Sequence, residues 1–76
     1  MGFGGNAEFR KIIAKNIAEQ IKFSGKTQAQ VSRELGINDR TVFYYTTGRA
    51  LPSYETLKKL CKVLDCSYED ILGKVE

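Results

Sequence analysis

Two cysteines, Cys61 and Cys66, are the residues of this chain best suited to redox or metal chemistry. There is no histidine, so the commonest general base and metal ligand are both missing. Two thiols are too few for a zinc site or for a disulfide scaffold. The sequence also has no phosphate-binding glycine loop before a helix and no nucleophile with an adjacent base. We therefore expect neither an enzyme nor a bound metal or cofactor.

The size and charge of the chain narrow the choice further. Its 76 residues allow one domain with one small core. Twelve Lys and Arg residues against nine Asp and Glu give a net charge of +3, a mild preference for anionic partners. No apolar run approaches the roughly 18 residues of a membrane span, and the N-terminus has no signal-peptide pattern. We expect a cytoplasmic chain with reduced cysteines and no membrane association.

The apolar spacing predicts five short helices and no strand. Helix 1 is predicted over residues 8–23, with Asn6 as its N-cap and Gly25 as its stop. Steps of three and four residues place five side chains on its inner face, namely Phe9, Ile12, Ile13, Ile17 and Ile21. Helix 2 follows a capping box formed by Thr27 and Gln30, and it ends at Gly36.

The last three helices have similar start and stop signals. Helix 3 is predicted from about Asp39 to Thr47, between an N-cap at Asn38 and a stop at Gly48. Helix 4 begins after Ser53, and its inner face is Leu57, Leu60, Cys61 and Leu64. A second capping box, Ser67 with Asp70, opens helix 5 around Ile71 and Leu72. Links of two to five residues between these helices indicate a compact all-α domain.

The most informative segment runs from Gln28 to Thr47 and reads QAQVSRELGINDRTVFYYTT. Two short helices flank a tight turn, with Gly36 at the ninth position of the segment. A small residue, Ser32, lies where the two helices must approach closely. The inward apolar residues are Val31, Ile37, Val42 and Tyr45. This spacing is typical of a helix-turn-helix unit, whose second helix projects from the domain so that it can enter a DNA major groove.

The ordered series from Lys26 to Leu72 resembles the lambda-repressor-like helix-turn-helix family, the XRE type that includes Cro and phage repressors. The matching elements are Thr27-Gln28, Gly36-Ile37, Gly48, Pro52-Ser53, the spacing Leu57, Leu60-Cys61, Leu64, and the closing segment Ser67 to Leu72. Each element is weak alone, but the ordered series is specific and covers most of the chain. The resemblance implies a compact five-helix lambda-repressor-like fold, all-α, from a bacterial or phage source.

The resemblance also implies which residues would contact DNA. The base-reading positions would be Asn38, Asp39, Arg40, Phe43 and Tyr44 on helix 3. The phosphate-binding positions would be Thr27, Gln28, Thr47, Arg49 and Ser53, and Gln28 would also brace helix 3. From Lys22 to Arg49 there are five basic and two acidic residues, whereas residues 65–76 hold four acidic and one basic. The helix-turn-helix half is therefore positive and the tail is negative.

The chemistry of these side chains suits most of the implied roles. Arg40 can pair with guanine O6 and N7, and Phe43 or Tyr44 can lie on thymine methyl groups. The Tyr44 phenol could instead reach a phosphate. Phosphates would repel Asp39, unless its carboxylate accepts from cytosine N4 or only orients Arg40. We expect Asp39 to orient Arg40.

The sequence departs from the family at two places. Many members pair an arginine late in helix 1 with a glutamate late in helix 3, and Ile21 and Thr46 stand there instead. A neutral contact is expected in place of the ion pair. The glutamate-asparagine that often precedes the loop glycine is Thr46-Thr47. These changes affect the transfer of detailed phosphate contacts and leave the fold unchanged.

We predict a sequence-specific DNA-binding transcriptional regulator, a repressor associated with the nucleoid, with no evident small-molecule ligand. Residues 1–6 would be a flexible lead-in, residues 7–73 the DNA-binding domain and residues 74–76 a tail. A homodimer on double-stranded DNA is expected, with Ile71, Leu72 and Val75 at the dimer surface. The alternative is a protein-binding adaptor or antitoxin that presents Phe43 and Tyr44 to a protein. A further hypothesis makes the chain the DNA-binding fragment of a longer repressor.

Overall fold

The computed structural model describes residues 5–73 and the side chains from residue 8 onward. Within that range the chain forms five α-helices: α1 (Gly5–Ser24), α2 (Gln28–Leu35), α3 (Asp39–Thr47), α4 (Tyr54–Leu64) and α5 (Tyr68–Leu72). None of these helices is long and apolar enough to cross a membrane. The order and approximate limits of the helices agree with the sequence prediction, except at the start of α1.

The predicted caps of α2, α3, α4 and α5 are present. Thr27 and Ser67 each form a capping box with the residue three positions later. The side chains of Asn38 and Ser53 accept from backbone N–H groups of α3 and α4. Gly36 and Gly48 end α2 and α3 with φ angles of 74° and 83°, which residues with a Cβ rarely adopt. Capping therefore fixes where α2 and α3 begin and end, and so fixes the turn between them.

The core lies where α1 is covered by α3 and α5, and where α2 packs on α3 and α4. Its buried members are Ile13, Ile17, Ile21, Val31, Leu35, Val42, Tyr45, Leu57, Leu60, Cys61, Leu64 and Ile71. They occupy the three- and four-residue steps that the sequence predicts for each helix. Ile21 near the end of α1 is also a core residue.

Two expectations for α1 are wrong. The helix begins at Gly5, so Asn6 lies inside it and does not precede it as an N-cap. Phe9 and Ile12, predicted on the inner face, are 48% and 52% exposed. The reason is the short length of α5, which reaches α1 at Asn16, where the Asn16 amide donates to the Ile71 carbonyl at 2.8 Å. Among the described residues, nothing covers the earlier turns of α1 on this side.

The predicted lead-in of residues 1–6 overlaps the first turn of α1. Gly5 and Asn6, placed in the predicted lead-in, belong to α1. Residues 1–4 of the lead-in and the predicted tail 74–76, including Val75, lie outside the described residues. At the C-terminus of α4, Asp65 takes the left-handed conformation with φ 54° and ends the helix. Sequence reasoning did not identify Asp65 as a helix stop.

Candidate nucleic-acid interface

The candidate interface is built on the α2–α3 pair. Val31 and Leu35 of α2 and Val42 and Tyr45 of α3 are buried and join both helices to the core. The backbone N–H of Ile37 donates to the Ser32 carbonyl at 3.0 Å and closes the turn. Within residues 5–73 no helix covers the opposite side of α3, so its outward side chains are exposed. A short exposed helix of this kind is suited to entering a groove.

A polar contact links the closest point of the two helices. Ser32 is 1% exposed, and among the described residues it is the one polar residue that is buried. Its hydroxyl lies within hydrogen-bonding distance of Asp39 Oδ1, on the first residue of α3, and of the Ala29 carbonyl at 2.9 Å. Sequence reasoning assigned Ser32 only a small size and missed this contact. A hydroxyl seven residues before a carboxylate across a tight turn is the signal that could have indicated it.

Among the described residues, Asp39 makes no ion pair with Arg40, so the structure does not show the direct contact by which its carboxylate was expected to orient Arg40. The Asp39 carboxylate turns back to Ser32, and residues 5–73 show an ion pair only between Lys26 and Glu34. Asn38 and Arg40 lie at the start of α3 and are exposed. The Asn38 side-chain oxygen accepts from the Arg40 backbone N–H at 2.8 Å. Because the Asn38 oxygen is engaged in capping α3, its side-chain NH₂ group is the part that can donate to a ligand.

The two adjacent aromatics of α3 point in different directions. Phe43 is 48% exposed, whereas Tyr44 is half-buried, and their ring centroids are 6.4 Å apart. The loop after α3 folds back on Tyr44, because the backbone N–H of Arg49 donates to the Tyr44 carbonyl at 2.9 Å. The Arg49 guanidinium then lies 5.8 Å from the centroid of the Tyr44 ring. Phe43 thus faces outward with Arg40, and Tyr44 supports Arg49.

The predicted phosphate-binding residues belong to three parts of the chain: the start of α2, the end of α3 with its following loop, and the start of α4. Gln28 is exposed at the start of α2, and its Nε2 donates to Thr46 Oγ1 at 3.4 Å. This neutral contact is the expected brace on α3. Thr27 and Ser53 are exposed, and their hydroxyl oxygens accept from backbone N–H groups at the starts of α2 and α4. The N-termini of both helices carry the partial positive charge that favours anions.

Thr47 fits its predicted role less well than the others. Its hydroxyl donates to the Phe43 carbonyl at 2.8 Å, with the Tyr44 carbonyl at 3.4 Å. The single hydroxyl proton is therefore engaged within α3 and is not directed at a ligand. Of the other nine predicted residues, eight belong to α2, to α3 or to the residues next to these helices, although Asp39 contacts Ser32 and Tyr44 packs with Arg49 of the loop. The ninth, Ser53, caps α4.

The exposed positive charge of α2, α3 and the loop after α3 comes from Arg33, Arg40 and Arg49. Lys26 does not contribute freely, because its ammonium pairs with Glu34 at 2.7 Å and donates to the Val63 carbonyl at 2.9 Å. Arg40 and Arg49 are exposed at the beginning of α3 and just after its end. Two cations separated by the length of one short helix suit an anionic partner that is itself extended.

The two cysteines do not form a chemical site. Both are free, with Cys61 buried in the core and Cys66 packed against it. Burial raises the pKa of the Cys61 thiol, and burial together with the neighbouring Cys61 raises the pKa of Cys66 to about 12. Both thiols therefore stay protonated at neutral pH and are poor nucleophiles. Within residues 5–73, no group of three or more metal-ligating side chains is placed to hold a metal ion.

The amino-acid sequence matches a known protein family and a curated relative. The profile of a family described as helix-turn-helix matches residues 17–71. The cryptic phage CTXphi transcriptional repressor RstR of Vibrio cholerae is 36% identical over 62 residues, and the match covers 82% of this chain and 55% of that protein. The chain thus spans about half the length of this curated relative. No solved structure matches the chain.

Proposed function

The chain belongs to the helix-turn-helix family, and from that membership we propose that it is a sequence-specific DNA-binding transcriptional regulator that acts as a repressor. The observation that carries the proposal is the uncovered side of α3, where Arg40 and Phe43 are exposed and Arg49 lies beside the helix end. In this proposal α3 enters the major groove, and the start of α2 and the loop after α3 bind phosphates on either side.

Base recognition in this proposal falls mainly to three side chains. Arg40 donates two hydrogen bonds to guanine O6 and N7. Asn38 donates through its amide nitrogen to a base acceptor, because its oxygen caps α3. Phe43 contacts the thymine methyl group. Tyr44 is better placed for a phosphate than for a base, because its ring packs with Arg49.

Phosphate contacts come from the rim of the surface. Gln28 is exposed at the N-terminus of α2, where the helix dipole also favours an anion. Arg49 is held over Tyr44 and directed away from the core. Thr27 lies at the N-terminus of α2 and can donate through its hydroxyl proton. Ser53 lies at the N-terminus of α4, where its hydroxyl donates to Thr56 Oγ1 at 3.1 Å and leaves the helix dipole to favour an anion. Such contacts supply affinity and register, but they carry no sequence information.

Repression requires only occupation of an operator that overlaps a promoter, so it needs binding and no chemical step. The 36% identity to a protein named as a transcriptional repressor supports this direction of regulation. The proposed place of action is the cytoplasm, on the nucleoid.

We further propose that the chain binds DNA as a homodimer, because one recognition helix reads only about four or five base pairs and useful specificity takes two half-sites. The predicted surface needs correction, since Ile71 is fully buried and cannot contact a second copy. Leu72 is 39% exposed, and Ile12 lies one turn before Asn16 on the side of α1 that meets α5. The exposed side chains Phe9, Ile12 and Leu72, here called the α1–α5 surface, are the proposed dimer contact.

A titration of labelled random-sequence duplex DNA at two salt concentrations tests the proposal. Binding through about three to five phosphates should weaken roughly 40- to 500-fold between 50 and 200 mM salt. An interface of Phe43 and Tyr44 with a protein would show little salt dependence. If no duplex binds at low salt, the DNA-binding proposal is wrong, and the aromatic surface of α3 should be tested for a protein partner.

A further inference from the structure

The two ends of α3 are each tied to α2 by a polar contact. At the N-terminal end, the Ser32 hydroxyl lies at Asp39 Oδ1. At the C-terminal end, Gln28 Nε2 donates to Thr46 Oγ1 at 3.4 Å. Asp39 and Thr46 are seven residues apart, about 10 Å along a helix. Two contacts separated in this way restrict how far α3 can tilt or rotate on its apolar contacts with the core.

The contact at Asp39 is the stronger of the two. Ser32 is 1% exposed, so its hydroxyl is shielded from competing water. A hydroxyl has one proton, and the ionised carboxylate is a stronger acceptor than the Ala29 carbonyl, which is also within reach at 2.9 Å. The proton therefore goes to Asp39. The bond at the other end joins two neutral groups among exposed or half-buried residues and is longer.

The same contact turns the carboxylate back toward α2. Its Oδ1 is engaged by Ser32, and no cation among the described residues pairs with Asp39. A carboxylate that pointed into the groove would face phosphate repulsion. Asp39 itself is exposed, but one of its carboxylate oxygens is engaged at the α2–α3 junction while the residue remains beside Arg40 in sequence.

We propose that Asp39 is a positioning residue: through Ser32 it sets the direction in which α3 presents Arg40 and Phe43 to the major groove, and it does not read a base. The proposal rests on the proposed DNA-binding function. It assigns specificity to the junction between the helices as well as to the side chains that touch base edges.

Four proteins provide the test: wild type, Ser32→Ala, Asp39→Ala and Asp39→Asn. Each is titrated with a duplex selected by the wild type and with a scrambled duplex, and the ratio of the two affinities is compared. The ratio is used because loss of the Asp39 charge strengthens binding to any DNA. The amide introduced by Asp39→Asn keeps an oxygen that accepts from Ser32, so this variant is the conservative rescue. In Asp39→Ala the Ser32 hydroxyl still has the Ala29 carbonyl, which protects the fold.

We expect Ser32→Ala and Asp39→Ala each to lower the specificity ratio about three- to tenfold, less than the full loss of a charge-assisted hydrogen bond, because the buried apolar contacts still hold α3 on the core. Asp39→Asn should keep a ratio near that of the wild type. The double variant Ser32→Ala/Asp39→Ala should be no worse than either single variant, because both remove the same contact. A merely structural loss would lower both affinities together and leave the ratio unchanged.

Two results would overturn the inference. In one, Ser32→Ala has no effect, while both Asp39 variants change the preference at a single base pair, which would make Asp39 a base-reading residue. In the other, all variants keep the wild-type ratio. Failure of the proposed function looks different, because the wild type would then bind neither duplex at low salt, and the inference would fall with it.

Discussion

The α2–α3 surface and the α1–α5 surface both expose apolar side chains, but in different surroundings. Phe43 on α3 lies with Arg40, and Arg49 stands just beyond the end of the same helix. Phe9, Ile12 and Leu72 lie on the side of the molecule that includes the acidic α5, whose first turn holds Glu69 and Asp70. The same kind of exposure therefore supports two roles. Cations beside the aromatic favour DNA, whereas an apolar surface next to carboxylates favours protein contact.

The two surfaces also differ in how they are held. The position of α3 is fixed by capping at both ends, by buried apolar contacts and by polar links to α2. The α1–α5 junction depends on Ile71 in the core and on one hydrogen bond from Asn16. The proposed DNA recognition needs a helix with a fixed direction. The proposed association of two copies needs only exposed apolar area.

The largest effect should come from Arg40→Ala. Loss of a bidentate pair with guanine is expected to weaken binding to the selected duplex about 5- to 150-fold, with a much smaller loss on scrambled DNA. Lys62→Ala is the matched control, because it removes the same charge near the C-terminal end of α4. Equal losses of affinity for the two variants would show that Arg40 acts only through its charge. The exposed side of α3 would then have no special role in reading DNA.

The next largest effect should come from Ile12→Glu on the α1–α5 surface. A carboxylate there should oppose contact between two copies and shift sedimentation toward the monomer. On a two-half-site duplex it should weaken binding about tenfold, a coupling of about 1.4 kcal/mol. Binding to a single half-site should not change. Lys11→Ala, on an exposed residue of the same helix, makes the same one-unit change in net charge and is the matched control. An unchanged assembly in Ile12→Glu would contradict the proposed dimer surface.

The exposure of Ile12 also shows what the sequence could and could not predict. Three- and four-residue steps identify Ile13, Ile17 and Ile21 correctly, because each is covered by another helix. The same rule fails for Phe9 and Ile12, because their burial depends on the length of α5. Caps such as Thr27 and Gly36 follow from local chemistry and are predictable. The link between Ser32 and Asp39 depends on the approach of two helices in space, which spacing alone does not specify.

A smaller effect is expected from Gln28→Ala. This variant removes the brace on Thr46 and a proposed phosphate contact, so affinity should fall about three- to tenfold on every duplex. Thr46→Val removes the brace and keeps Gln28, and it should lose less. The difference between the two variants, measured by the same titration, isolates the phosphate contact. Equal losses would mean that Gln28 acts on α3 alone.

The smallest effect concerns stability at high pH, away from both surfaces. In the folded chain the pKa of Cys66 is raised to about 12 by burial and by Cys61, while an unfolded thiol ionises near its ordinary value of 9.0. Ionisation therefore favours the unfolded state, and stability should fall as pH rises from about 9 to 12. Cys66→Val should show a shallower decline in midpoint temperature. If the midpoint temperatures of the wild type and Cys66→Val fall in parallel as pH rises, the loss of stability does not come from ionisation of Cys66.

Selection from a random duplex pool by the wild type, Arg40→Ala and Lys62→Ala tests the central claim most directly. The account predicts that the wild type enriches a defined sequence containing guanine. Arg40→Ala should lose that preference at one position of each half-site, and Lys62→Ala should enrich the same sequence as the wild type. If the wild type binds the pool without enriching any sequence, or if Arg40→Ala enriches the wild-type sequence unchanged, α3 does not read the major groove through Arg40.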